Sequence, residues 1–261
     1  MGKGKIVLTV FVSFIFYAAI CFLLFVPFGR KEWEKNLTSC VTFGQDFYDL
    51  GVESGYRNSI GNFKLAAFLD KFFVRWNDNT DIPEYYRSIG LAYSNLEKYD
   101  KALAYQEKSA AAYKKYCKDS DYDYAIANVL AMLAACKTND LEKALYHGKE
   151  GAAYFEALPE EEQGIQAAYD YIWLANIYNK KGDYDAAAGY FEKGIPIMYE
   201  KVDWGFGNDE NAILIAGAYK TAAAVYGKLG KTEKEREYRE KYEEFMWYRD
   251  LAEEDLEEVV S

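Results

Sequence analysis

Apolar and small residues recur along this chain at helical spacing, in sets that repeat. Tyr171, Leu174, Ala175 and Tyr178 fall on one face of a predicted helix. Tyr86, Ile89, Gly90 and Tyr93 keep the same offsets, and so do Tyr219, Ala222, Ala223 and Tyr226. Asn128, Ala131, Met132 and Ala135 form a degenerate copy. A small residue between two aromatics lets a second helix approach closely while the rings fill the space above and below. That second helix is also visible. The stretches from Tyr99 to Tyr105, from Leu141 to His147 and from Tyr184 to Tyr190 each open a new amphipathic helix, and a weaker copy runs from Thr232 to Tyr238. Their marker residues Ala102, Ala144, Ala187 and Glu235 are 42, 43 and 48 apart. Seven residues after each marker come Ser109, Gly151, Gly194 and Tyr242, three of them small. The pattern predicts a series of helical hairpins.

Punctuation supports these units. Thr80 or Asp81 can cap the first helix, with Pro83 in its first turn. Asp119-Ser120-Asp121, Leu158-Pro159-Glu160 and Trp204 to Asn208 separate the units. Residues 31–80 predict a helical cap region, with helices near 37–54 and 61–76 joined by a turn at Gly55–Gly61. From Thr232 the pattern gives one charged capping helix, with Tyr238, Tyr242, Phe245 and Met246 inward, and then an acidic tail to residue 261.

The N-terminus differs. No charged residue occurs from Ile6 to Gly29. Residues 6–28 would make roughly 34 Å of helix, enough to cross a ~30 Å hydrocarbon core. Residues 1–30 are therefore expected to be a transmembrane signal-anchor. A cleaved signal peptide is the competing reading. Basic residues flank the run on both sides, so orientation is weakly specified. The expectation is a single-pass membrane protein with its N-terminus cytoplasmic and its large domain on the outer face.

The paired-helix pattern resembles the tetratricopeptide repeat (TPR) family. Tyr171, Leu174, Ala175, Tyr178, then Lys181-Gly182-Asp183-Tyr184, Ala187 and Phe191 carry the closest match. The resemblance covers about residues 82–245, with the hairpins expected over 81–231. The family's usual period is 34, so spacings of 42–48 look like the longer-helix variants of kinesin light chains. The resemblance implies an all-α fold, a right-handed solenoid of TPR-like hairpins, and the apolar run adds a single transmembrane helix before it.

Composition narrows function. Residues 1–29 hold two of the 31 basic residues and none of the 42 acidic ones, which leaves −13 on the remainder. A surface that negative repels phosphate backbones, so no nucleic-acid partner is expected. Cys40, Cys117 and Cys136 are widely spaced, and the chain has a single histidine, so no metal site is expected. His147 is the repeat equivalent of Tyr105, Tyr190 and Tyr238, which makes it a packing residue. No nucleophile elbow, phosphate loop or cofactor fingerprint is present. The chain is therefore expected to be non-enzymatic and to need no cofactor.

In TPR solenoids the first helices of successive hairpins line a concave groove that takes peptides. The resemblance places Tyr169, Ile172, Trp173, Asn176, Asn179 and Lys180 there in the third unit, and Lys220, Thr221, Ala224 and Lys228 in the fourth. Tyr169, Trp173, Asn176, Lys180, Lys220 and Lys228 are the candidate peptide-binding residues. An aromatic with three lysines in so acidic a chain points to an acidic or C-terminal segment of a protein partner. The expected function is a membrane-anchored scaffold or adaptor. A self-assembling homo-oligomer is the second reading, and a membrane-bound hydrolase a distant third.

Overall fold

The structure, a computed structural model, describes residues 31–74, 81–117, 121–202 and 209–249. All regular structure among them is helical. The chain divides into two compact units, Met1–Leu96 and Glu97–Ser261.

In the first unit, α1 covers 31–49, α2 Glu53–Leu69 and α3 Ile82–Asn95, with one π-helical turn at Asp70–Val74 after α2. The break falls at residues 50–52, where Gly51 adopts φ 64°, and not at the expected Gly55–Gly61 turn. Gly55 and Gly61 lie inside α2. The reason at Gly55 is packing. A Cβ there would lie 2.3 Å from the Phe47 carbonyl oxygen, so glycine lets α2 start against α1. Phe63, Ile60, Ala66 and Leu69 of α2 and Ile82, Tyr85, Ile89 and Ala92 of α3 form the core. The Lys64 ammonium donates to Tyr93 Oη at 3.0 Å, and the Asn95 amide to Tyr48 Oη at 3.0 Å.

The second unit contains α4 Tyr99–Tyr116, α5 Asp121–Lys137, α6 Leu141–Glu156, α7 Ile165–Lys181, α8 Tyr184–Lys201, α9 Asp209–Lys228 and α10 Thr232–Arg249. A 3₁₀ turn, Glu160–Glu162, lies between α6 and α7. Each helix packs on the next, and α5, α7 and α9 also touch in sequence. The hairpin turns repeat one solution. Asn139, Gly182 and Gly230 take positive φ of 58°, 80° and 67°. Asp140 N–H donates to the Ala135 carbonyl, Asp183 N–H to that of Tyr178 and Lys231 N–H to that of Tyr226. Each bond closes its helix in a left-handed cap. Asp140 and Asp183 then accept from the backbone of Lys143 and Ala186, capping the returning helix.

The repeat markers behave as the pattern required. Ala102, Ala144 and Ala187 are fully buried, and Tyr171, Leu174 and Ala175 are buried with them. A Cβ on Gly194 would come within 2.9 Å of Ile172 Cγ1 and 3.1 Å of the Ile172 nitrogen.

One expectation is corrected. The proposed span, residues 6–28, lies outside the described residues, and among the described residues no helix is long and apolar enough to cross a membrane. The longer helices α1, α4, α8, α9 and α10 all carry charged residues. The expected single-pass placement, with its outer-face domain, is not what this structure shows.

Candidate functional site

Neighbouring first helices fall into register at offsets of 43 and 48 residues. This places Ile126, Tyr169 and Gly217 on one level, then Leu130, Trp173 and Thr221, then Leu133, Asn176 and Ala224, and finally Lys137, Lys180 and Lys228. Ile126, Leu130, Leu133, Tyr169 and Trp173 are half-buried, which is the exposure of a surface stripe rather than a core. The Tyr169 hydroxyl donates to Asn211 Oδ1 and ties α7 to α9. Asn176 is 8 % exposed, and its amide makes no hydrogen bond among the described residues. Lys137, Lys180 and Lys228 are exposed in the last turns of α5, α7 and α9. Burial pushes the Cys136 thiol up to about 11, while Lys180 and then Lys137 pull it down, so both ammonium groups lie near one sulfur.

By this register Tyr169, Trp173, Asn176 and Lys180 share one face of α7, and Lys228 holds the place of Lys180 on α9. Lys220 is placed differently. It is the register equivalent of Ile172, and its ammonium lies 5.8 Å from the centre of the Tyr242 ring on α10. Tyr242 is in turn the equivalent of Gly194, so Lys220–Tyr242 repeats the Ile172–Gly194 contact with larger groups. Ile172 is fully buried in that contact, whereas Lys220 stays exposed. Sequence reasoning missed Lys137, Leu130 and Leu133. The offset of 43 that aligned Asn128 with Tyr171 would have found them, had it been carried along the whole degenerate helix.

Two other clusters frame this face. His147 is buried, and its Nδ1 lies 2.8 Å from Asn128 Oδ1. The Asn128 amide nitrogen donates to the Tyr124 carbonyl, so Oδ1 accepts and the proton sits on Nδ1. Burial lowers the imidazole's affinity for a second proton, and the Glu107 carboxylate, 3.7 Å from Nε2, opposes this. The slot is aromatic elsewhere: Tyr190 stacks on Tyr178 and Tyr238 on Tyr226, with centroids 5.6 and 5.3 Å apart. Asn128 and Ala135 stand where the third unit has Tyr171 and Tyr178, which leaves room for an imidazole with its own partner. A cleft of about 550 Å³ is lined by Glu156, Gln163, Tyr171, Glu192, Lys193 and Glu200, among others, from α6, the α6–α7 connection, α7 and α8. Its carboxylates are partly engaged, since Lys193 pairs with Glu156 at 2.6 Å and the Tyr226 hydroxyl donates to Glu192 at 2.6 Å. Among the described residues no group of acidic, histidine or cysteine side chains has metal-binding geometry.

No protein-family model matches the sequence. A curated relative, the uncharacterized protein ycf37 of Guillardia theta, is 32% identical over 115 residues, which is 42% of this chain. The match spans 58% of that relative's length. Among solved structures, BtubC from P. vanneervenii superposes with a TM-score of 0.63 at 16% identity, over 84% of this chain and 93% of that one. TPR-like repeats of a Podosopora anserina kinesin light chain give 0.55 at 11% identity, over 85% and 98%. A Rap protein complexed with competence and sporulation factor gives 0.52 at 17% identity, over 81% and 54%. These likenesses are of fold: the chain has the TPR-like helical-repeat architecture.

Proposed function

We propose that this chain is a non-enzymatic interaction scaffold that holds an extended peptide segment of a partner protein against α5, α7 and α9. The observation that carries the reading is Asn176. Its side chain is mostly covered, its amide makes no hydrogen bond among the described residues, and its polar atoms are not among the buried unsatisfied ones, so they face solvent at mid-height on a half-buried apolar stripe. Leu130, Leu133 and Trp173 flank it with contact area, and Asn176 offers both a donor and an acceptor to a peptide backbone. Ligands of TPR-like folds are compatible with this use, since the similar Rap protein was solved in complex with a competence and sporulation factor.

The test is a peptide-display selection against the full chain, followed by Asn176→Ala. Ala224 fills the equivalent place in the next repeat, so the alanine variant is expected to fold with an unchanged melting temperature. Affinity for selected peptides should fall about tenfold, the equivalent of one lost hydrogen bond. Retained affinity in a folded variant would place the ligand elsewhere.

A second reading, self-assembly, draws on the first unit, where Phe43, Leu50, Leu65 and Phe68 are exposed. Phe68→Glu should then lower the mass of the full chain by light scattering. An unchanged mass would remove it.

A further inference from the structure

The cleft formed by α6, α7 and α8 shares no lining residue with the groove, and its chemistry differs. Four glutamates, Glu156, Glu160, Glu192 and Glu200, stand there against one lysine, Lys193. The donors of the lining are spent within it. The Tyr171 hydroxyl donates to Gln163 Oε1 at 3.3 Å, and the Gln163 amide donates to the Leu158 carbonyl at 3.2 Å. The Lys193 ammonium goes to Glu156 at 2.6 Å and stands 5.2 and 5.7 Å from the centres of the Tyr190 and Tyr171 rings. Acceptors are in surplus. Glu192 accepts from the Tyr226 hydroxyl and has the Lys234 ammonium at 3.9 Å, while Glu200 meets its exposed chain neighbour Lys201. Glu160 is exposed and makes no hydrogen bond or ion pair among the described residues. The backbone adds one more acceptor. Pro196 lies inside α8 and has no N–H, which leaves the Glu192 carbonyl, four residues before it, without its usual helical donor. Next to Tyr171, the Asp170 carboxyl is fully buried, with neither oxygen paired among the described residues.

We infer that this cleft takes lysine or arginine side chains from a basic segment of a partner protein. Lys193 displays the mode of recognition within the chain itself, an ammonium held by a carboxylate and two aromatic rings. The surplus acceptors call for the same kind of donor from outside. Leu158, Pro196 and Ile197 supply apolar surface for the methylene stems of long basic side chains. Glu192 and Glu200 are two turns apart on α8, about 12 Å along the helix. One cation cannot answer both, whereas two basic residues on a common backbone can. The volume of about 550 Å³ lies within the range of binding clefts, about 300–1,000 Å³. The net charge of −11 draws a basic segment toward the chain from a distance. The inference is independent of the groove reading, because none of its residues belongs to the groove.

The probes are fluorescent acetyl-(Arg-Ala)₃-amide and its glutamine counterpart, with spermidine, a free amine of the same charge, as competitor. Binding to the full chain is read by anisotropy at low and high salt. The arginine peptide should bind more tightly than the glutamine peptide by about tenfold or more, with a loss as salt screens it. Glu160→Lys/Glu200→Lys should abolish that preference, with the helical signal and melting temperature retained. Glu240→Lys/Glu243→Lys, the same change in net charge on α10, should leave most of it. Lys193→Met frees Glu156 and the two rings, so it should tighten the arginine peptide severalfold, a gain that carboxylates with a merely structural role would not give. Equal binding of the two peptides, equal losses in the two double variants, or no gain in Lys193→Met would overturn the assignment. Displacement by spermidine as effective as by unlabelled arginine peptide would overturn the protein segment in favour of a small amine. Asn176→Ala, the test of the groove, should leave this binding unchanged, and a loss there would move the peptide out of the cleft.

Discussion

Asp170 shows how much one residue can contradict its surroundings. It is fully buried in α7, and neither carboxyl oxygen has a hydrogen-bond partner among the described residues. A Cβ on Gly151 would lie 3.1 Å from its Oδ2, so glycine there makes room for the group. Burial, and next the Glu156 carboxylate, raise its pKa well above the usual 3.8. The folded chain therefore holds the proton more tightly than the unfolded one. Stability is undiminished below 3.8, falls as pH rises toward the folded value and stays reduced above it. Asp170→Asn keeps the shape and removes the charge. The variant should be more stable than the parent by about 1–3 kcal/mol at neutral pH, with the gain vanishing in acid. Urea titrations across a pH series check this, and a parallel pH dependence in both proteins would refute it.

Between elements, the controlling feature is how closely paired helices approach. Gly194 lets α8 lie against Tyr171 and Ile172, and the Ile172 backbone nitrogen is one of the atoms a Cβ would meet. Backbone cannot rotate aside, so Gly194→Ala should destabilise the second unit by about 1–3 kcal/mol despite its gain in helix propensity. Gly189, on the same helix, has nothing within 4 Å of its would-be Cβ. Gly189→Ala should be neutral or stabilising by about 1 kcal/mol. Chemical denaturation of the pair separates packing from propensity; equal effects would mean that the register between α7 and α8 is misassigned. The same logic explains the first unit. Gly55 reads as a turn residue in sequence, yet it serves a helix–helix contact, which is a property of two elements and not of one.

For the second unit as a whole, α10 covers α9. Tyr238 stacks on Tyr226, and Phe245 meets Tyr219 at 6.2 Å, so α10 seals the apolar face of α9. Its outer face is charged, with Arg239–Glu235 and Lys241–Glu237 pairs along it. Tyr238→Ala should cost about 3–5 kcal/mol and act locally. Hydrogen exchange should then show α9 and α10 losing protection before α5 to α8. Uniform loss would show that the repeats unfold as one body instead of as coupled neighbours.

The sequence by itself determined the helical repeats, because their information is local. Aromatic, small and aromatic residues at fixed offsets dictate a face, and Asn139, Gly182 and Gly230 with their following caps dictate where each hairpin turns. It also placed Tyr169, Trp173, Asn176, Lys180 and Lys228 on the first helices of their hairpins. Tertiary structure decided what those residues meet. Lys220 stands over the Tyr242 ring of α10, a contact the repeat register alone does not report. Lys137 lay in a helix whose aromatic markers are lost, and it fell into register with Lys180 through its neighbour α7. The covering of Asn176 and the raised pKa of Asp170 depend on atoms from other helices. Spacing along one chain cannot report desolvation, which is fixed by everything that packs around a group.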